Sequence, residues 1–353
     1  MSIYQEERKI ADIKRLREVQ KDLPPFVQEF FRGIAQTTSS MTRLAYAYDL
    51  RIFFRYLYEE HPTLAGMETK TLRINNLNEI TADDVDCFME YLSYYVRPDR
   101  DRSKRQAAYH NDEKGKSRKL AAVRSMYKYF YKRGKVDSNP ATIVDTPKIH
   151  DKKIVRLDEN EMESFLDSVE TGEHLTKGQK ARHGKLQKRD MAIITLLLGT
   201  GMRVSECVGI NKEDLDFRNY GVKVVRKGGN EVMLYFSEEV AQTLRDYLEQ
   251  RDFFKPKEEH SDAVFLSAQG KRITVRAVQN LVKKYAQGVT PKNISPHKLR
   301  STYGTNLYQE TGDIYLVADT LGHTDVNTTR KHYAEIEENR RKSAASFIKL
   351  RKE

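Results

Sequence analysis

From Leu44 to Tyr56 apolar side chains return at steps of three and four residues (Leu44, Tyr48, Ile52, Phe53, Tyr56). In RSMYKYFYKRGK, Met126, Tyr127, Phe130 and Tyr131 do the same, with Arg124, Lys128 and Lys132 between them. That spacing gathers one face of an α-helix for burial and leaves the other to water, so each segment needs a neighbour to pack on. No period-two alternation occurs before residue 150. The first part of the chain is therefore expected to be an all-helical bundle of four or five helices. Asp22 with Pro24 and Pro25 starts a short helix that Gly33 closes, and Thr37 to Tyr58 forms a core helix. Thr81 caps a helix over Ile80 to Val96 with an acidic first turn, and Ser117 to Arg133 forms another.

The pattern changes after residue 136. Asp137 to Lys153 contains Pro140 and Pro147, lacks a helical period and reads as a linker, with a boundary near residue 155. Beyond it Asp158 to Val169 is a capped helix, and DMAIITLLL (190–198) is a buried helix ended by Gly199 and Gly201. From Tyr220 to Phe236, Val222 and Val224 alternate, RKGGNE follows, and Val232, Leu234 and Phe236 alternate again, which is a hairpin with Gly228 and Gly229 in its turn. AVFLS (263–267) offers one more strand, and from Val275 onward the chain reads as helix. The expected fold class is α+β and mainly helical: an all-α bundle, then a mixed α/β domain with a small antiparallel sheet. Its divisions are a helical extension (1–36), the bundle (37–136), the linker (137–154) and a second domain (155–353) ending in a carboxyl-terminal helix.

Charge narrows the partner. The 353 residues hold 62 Lys plus Arg and 51 Asp plus Glu, a net charge of +11. Nearly all of that excess lies between Arg97 and Lys135, which hold 14 basic and four acidic residues, a net of +10. A second run from Lys177 to Arg189 has six basic residues and no acid. Either run alone reads as a solvated charged face; two together favour a polyanion. The candidate phosphate contacts are Arg102, Lys104, Arg105, Lys116, Arg118, Lys119, Arg124, Lys128 and Lys185. The amino terminus is charged and helical with no signal-peptide core, no stretch approaches ~18 apolar residues, and a cytosolic protein without a membrane anchor is expected. Cys87 and Cys207 fit neither a metal spacing nor a disulfide framework.

Three clusters carry chemistry. Arg203 follows Gly199-Thr200-Gly201, with Glu206 three residues on; alone, the two read as an ion pair at a helix start. In SPHKLR, Pro296 opens a helix and puts His297 and Arg300 one turn apart on one face. Leu321-Gly322-His323 precedes Tyr333, and alone could be a structural turn.

In their order, with Lys227 in the RKGG hairpin, these residues resemble the tyrosine recombinase (lambda integrase-like) family over 155–340. Within it the chain is most similar to Xer-type enzymes, especially the single-recombinase Xer proteins of low-GC Gram-positive bacteria, in the RKGG hairpin and the basic run before DMAIITLLL. The usual nucleophile position, nine residues after the LGH histidine, is His332 here, with Tyr333 at ten. Histidine cannot form the stable phosphotyrosyl ester, so Tyr333 is the expected nucleophile, and Tyr303, Tyr308 and Tyr315 are expected to be packing residues. The resemblance also implies that the bundle is the family's core-binding (SAM-like) DNA-binding domain.

Cutting DNA without hydrolysis needs a nucleophile that stores the bond as a reversible ester, plus charge at the pentacoordinate phosphorus. Tyr333 meets the first need, and the paired donors of Arg203 and Arg300 meet the second in place of a metal. The resemblance implies that His297 accepts the phenol proton, Lys227 protonates the leaving 5′ oxygen, His323 hydrogen-bonds the phosphate and Glu206 orients Arg203. It further implies a double-stranded DNA recombination site as partner, a homotetramer on two such sites with room for an accessory protein, and no cofactor or metal. The apolar patch Ala344, Phe347, Ile348 and Leu350 is expected to dock the last helix, on a neighbour or on its own domain. Chromosome or plasmid dimer resolution is the leading role, since the ~36 residues before Thr37 leave little room for a β-rich arm-binding domain. The alternatives are a mobile-element integrase, a type IB topoisomerase, and a non-catalytic DNA-binding protein.

Overall fold

The protein is described by a computed structural model over residues 3–98, 106–148, 154–226 and 229–322. Lys227, His323, Tyr333 and the carboxyl-terminal segment lie outside the described residues, as do Arg102, Lys104 and Arg105. The chain divides into two compact units, Ile3–Asp151 and a second that begins at Lys152. Among the described residues no helix is long and apolar enough to cross a membrane.

The first unit holds α1 (Ile3–Gln20), α2 (Val27–Gly33), α3 (Ser40–Glu60), α4 (Ala82–Tyr91), a hairpin of β1 (Tyr95–Pro98) and β2 (Gln106–Tyr109), and α5 (Glu113–Tyr131). Its core is aromatic: Phe30, Phe53, Phe54, Tyr56, Phe88, Tyr127 and Phe130 are buried together. Phe26 meets Phe130 edge-on at 5.7 Å, and Phe53 meets Phe88 at 5.1 Å, which is the arrangement ring quadrupoles favour. The buried Tyr127 hydroxyl donates to the Leu77 carbonyl, and Tyr56 to that of Asp84. Thr81 caps α4 in a reciprocal box with Asp84. Residues 1–36 contribute Leu16, Val19, Leu23, Val27 and Phe31 to this same core.

In the first unit two features depart from the sequence expectation. The first unit is not free of strands: Tyr95 pairs with Tyr109 and Arg97 with Ala107 in an antiparallel hairpin. Four residues per strand are too few to display a period; stacking of Tyr95 on Tyr91 and on Tyr109 holds them together. The stretch read as a linker packs on the bundle through Thr146. Pro140, Ala141 and Val144 are buried, and the Arg124 guanidinium donates to the carbonyls of Ala141 and Val144 and to the Thr146 hydroxyl.

In the second unit α6 (Glu159–Thr171) is capped by Asp158. The basic run and the apolar segment form one helix, α7 (Lys177–Thr200), whose Ile193, Ile194, Leu196 and Leu197 are fully buried. Short α8 (Val204–Cys207) follows, then β3 (Leu215–Asp216), β4 (Gly221–Val225) and β5 (Glu231–Tyr235) in one antiparallel sheet of order β3-β4-β5. The hairpin register pairs Val222 with Leu234 and Val224 with Val232. Helices α9 (Glu238–Gln250), α10 (Val275–Ala286), α11 (Pro296–Thr311) and α12 (Ile314–Leu321) follow among the described residues. Helix α7 is central and packs on α6, α9, α10 and α11.

Residues 263–267 form no strand; two isolated bridges, Asn211 to Ala263 and Leu266 to Arg272, are all that remains of the expected one. Backbone bonds such as Val264 N–H to the Ile210 carbonyl and Ile273 N–H to the Phe265 carbonyl are joined by side-chain ones. Arg251 donates to the Ala263 carbonyl at 2.9 Å, and the Tyr247 hydroxyl bridges the Val264 carbonyl and the Leu266 amide at 3.1 Å each.

Candidate active site

Helix α7 must end abruptly for the site to form. Gly201 does this in the left-handed region (φ +61°), and a Cβ there would lie 2.3 Å from the Tyr303 ring, so backbone and packing both require glycine. The turn delivers Arg203 to the start of α8. Glu206 accepts from the Arg203 amide at 2.7 Å and from its Nη1 at 2.9 Å. One carboxylate thus fixes both the backbone and the guanidinium, while the remaining end, Nη2, donates to the Gly322 carbonyl at 3.1 Å. The pairing expected of Arg203 and Glu206 is present.

Pro296 starts α11. One turn in, Arg300 is only 5% exposed. Its Nη1 donates to the Gly201 carbonyl at 2.6 Å and its Nη2 to the Leu321 carbonyl. A buried guanidinium needs such acceptors, since its charge cannot be left without partners in a poorly hydrated interior. His297, three residues earlier, is exposed. The end of α7, the start of α11 and the end of α12 therefore meet at Gly201, Leu321 and Gly322, and bring Arg203 and Arg300 together.

A third arginine belongs here that sequence reasoning passed over. Arg226, at the end of β4, donates from Nη1 to the Asp319 carbonyl (3.0 Å) and from Nη2 to the Thr320 carbonyl (2.6 Å). Four consecutive carbonyls at the end of α12, from Asp319 to Gly322, thus accept from three guanidiniums. They lie at the negative pole of the helix dipole, where a terminus leaves carbonyls short of intrahelical donors, although Asp319 O also accepts from the Gly322 amide at 2.8 Å. The signal for Arg226 was its place directly before Lys227 in a hairpin, but nothing in the sequence says which carbonyls it reaches.

Of the expected packing tyrosines, Tyr303 and Tyr308 are at least half-buried, and burial raises the Tyr303 phenol above its usual range. Tyr315 corrects that expectation: it is 71% exposed in the first turn of α12, whose apolar face is carried by Val317 and Leu321 instead.

Among the candidate phosphate contacts, two face inward. Lys119 is 4% exposed and donates to Asn111 Oδ1 at 2.5 Å, so it is a core residue. Arg124 is held on the Ala141, Val144 and Thr146 oxygens as described above. Arg118 is half-exposed and bonded to the buried Asp49 at 2.7 Å, and Lys116 reaches the Ser93 hydroxyl at 2.6 Å. Lys128 and Lys185 are exposed. Among the described residues no cluster of His, Cys, Asp or Glu could hold a metal ion.

A family model described as the phage integrase family matches residues 155–340. The tyrosine recombinase XerC of Caldanaerobacter subterraneus subsp. tengcongensis is 33% identical over 318 residues, 87% of this chain and 82% of the relative. XerC of Staphylococcus saprophyticus is 33% identical over 298 residues, covering 83% and 86%. Among solved structures, the XerH site-specific recombinase bound to its difH substrate before cleavage shares the fold with a TM-score of 0.61, at 22% identity over 88% of this chain and 80% of that one. A lambda integrase (75–356) dimer bound to a COC′ core site gives 0.59 at 13% identity, over 86% and 95%.

Proposed function

The chain belongs to the phage integrase family of tyrosine recombinases, and from that premise we propose how its residues carry out site-specific DNA recombination. The Tyr333 phenol oxygen attacks the scissile phosphorus, the bond to the 5′ oxygen breaks, and a 3′-phosphotyrosyl ester holds the cut strand. His297 takes the phenol proton and Lys227 supplies one to the departing 5′ oxygen. Attack by the 5′ hydroxyl of the partner strand reverses these steps and releases the tyrosine, so no hydrolysis intervenes. Arg203 and Arg300 neutralise the non-bridging oxygens as charge builds, Glu206 fixes Arg203, and His323 adds a hydrogen bond.

The observation that carries this reading is the meeting of Arg203 and Arg300 at Gly201 and the end of α12. Two oriented guanidiniums beside one backbone turn form a receptor for a phosphodiester. Lys128 in the first unit and Lys185 in the second are exposed for backbone contacts. The XerC relatives, similar over most of their length, support resolution of chromosome or plasmid dimers as the biological role. Exchange between two duplexes requires four strand cuts, and with one nucleophilic tyrosine per chain the working assembly is a tetramer on two sites.

A nicked suicide substrate, which traps the ester because the 5′ fragment diffuses away, tests the assignment. In EDTA the wild type is expected to accumulate covalent adduct, while Tyr333→Phe binds the DNA with unchanged affinity and forms none. Adduct from Tyr333→Phe would move the nucleophile elsewhere. Loss of wild-type cleavage in chelator, restored by magnesium, would overturn the metal-free mechanism.

A further inference from the structure

The last turn of α12 supplies acceptors to both candidate phosphate-binding arginines, Leu321 O to Arg300 and Gly322 O to Arg203. Whatever fixes that turn fixes the two guanidiniums. Glu206 does so for Arg203 alone, and Gly201 O for Arg300 alone. Arg226 grips the two preceding carbonyls, Asp319 O and Thr320 O, with both arms of its fork. It is also in close contact with Gly322, where a Cβ would sit 2.4 Å from Nη1. The Arg226 backbone is itself held, its amide donating to the Asn230 carbonyl at 2.8 Å across the hairpin. The sheet thereby anchors the helix end on which the phosphate-binding arginines rest.

We propose that Arg226 is a positioning residue for Arg203 and Arg300, acting through the carboxyl end of α12. Its side chain has no role in proton transfer. It sets where Leu321 O and Gly322 O stand, and so how the two guanidiniums meet the charge that builds on the phosphate. Lysine cannot replace it, because one ammonium lacks the planar fork that spans two successive carbonyls. This inference rests on the reading of Arg203 and Arg300 given above.

The test compares single-turnover cleavage of three suicide substrates by the full-length protein. The first has an ordinary scissile phosphate. The second has a methylphosphonate there, in which a methyl group replaces one non-bridging oxygen and removes the charge the arginines neutralise. The third has sulfur at the 5′ bridging position, which leaves without needing a proton. Arg226→Ala is expected to cut ordinary DNA about 10- to 100-fold more slowly with unchanged DNA affinity, the scale of a small misplacement of catalytic groups. Its deficit relative to wild type should shrink to within about threefold on the methylphosphonate, and persist on the sulfur substrate. Arg226→Lys should show the same pattern, and it carries the comparison if Arg226→Ala melts below the assay temperature.

Wild-type cutting of ordinary DNA by Arg226→Lys would overturn the proposal, as would a deficit equal on phosphate and methylphosphonate, or one relieved by sulfur. Arg300→Ala run alongside separates the two claims. Relief of Arg300→Ala by methylphosphonate without relief of the Arg226 variants sinks the role of Arg226 alone. No relief of Arg300→Ala overturns the reading of the guanidiniums and the proposal with it.

Discussion

In α5 three cations of the first basic run, Arg118, Lys119 and Arg124, are bonded to the protein while Lys114 and Lys128 stay exposed, whereas those in the first half of α7 remain in water. Lys119 is buried against Asn111, Arg124 holds the segment around Ala141 and Val144, and Arg118 is paired with Asp49. In α7, Lys177, Lys180, Arg182 and Lys185 are exposed, and only Arg189, where the apolar half begins, is buried, bonded to Asp190. The two runs look alike in composition but differ in what is interleaved with them. In α5 Leu120, Val123, Met126, Tyr127 and Phe130 give the helix a core face, so cations on its flanks lie within reach of buried carbonyls and carboxylates. From Lys177 to Lys188 the α7 run has no such stripe. A cation count therefore locates charge, while the apolar positions between the cations decide which of them the protein itself takes up.

The strongest challenge to this contrast is Arg124→Ala. Losing the guanidinium leaves the Ala141 and Val144 carbonyls without their donor, which should lower folding stability by about 2 to 3 kcal/mol in urea titrations. Specific DNA affinity of the protein that remains folded should change little. A variant of unaltered stability with weakened DNA binding would put Arg124 on the DNA face after all.

Asp49, the acid that draws Arg118 inward, gives a pH-dependent version of the test. The side chain is 1% exposed, and burial, opposed by Arg118 and Lys119, pushes its carboxyl up to about 6. Its value in the unfolded chain is ~3.9. With the folded value raised, the native state holds the proton more tightly, so stability from this group is full below pH 4 and is lost as pH rises from 4 to 6. Relative to Asp49→Asn, the wild type should lose about 2 kcal/mol between pH 4 and pH 7. Parallel stability curves for the two proteins would mean that the carboxylate is ionised and compensated throughout.

The smallest effect belongs to α7. Arg182→Ala combined with Lys185→Ala should leave stability within about 0.5 kcal/mol of wild type, weaken DNA binding roughly tenfold, and reduce the slope of log affinity against log salt by about 1 to 2. An unchanged salt slope would make this run a solvated face with no DNA contact.

Much of the fold was legible because local chemistry dictates it. Thr81 and Asp158 cap the helices expected of them, Gly201 stops α7, and alternation of Val222, Val224, Val232 and Leu234 produced the sheet hairpin. Where reading failed, the deciding interaction came from outside the segment. Tyr91 and Tyr109 stack on Tyr95 and hold a hairpin too short to show a period, and Arg251 and Tyr247 bond to carbonyls of residues 263–264, which pair with other segments only through isolated bridges.

The same division runs through the candidate site. The sequence by itself determined which chemical groups are present and in what order, because Arg203 with Glu206, HKLR, LGH and Tyr333 are short local patterns. Only the tertiary structure decided that Arg300 reaches a carbonyl 99 residues away, that Arg203 reaches one 119 residues away, and that Arg226 grips the same turn. The physical reason lies in the acceptors. All are backbone carbonyls, which every residue possesses, so no side-chain identity marks them, and they become partners only when packing brings the end of α7, the start of α11 and the end of α12 to one place.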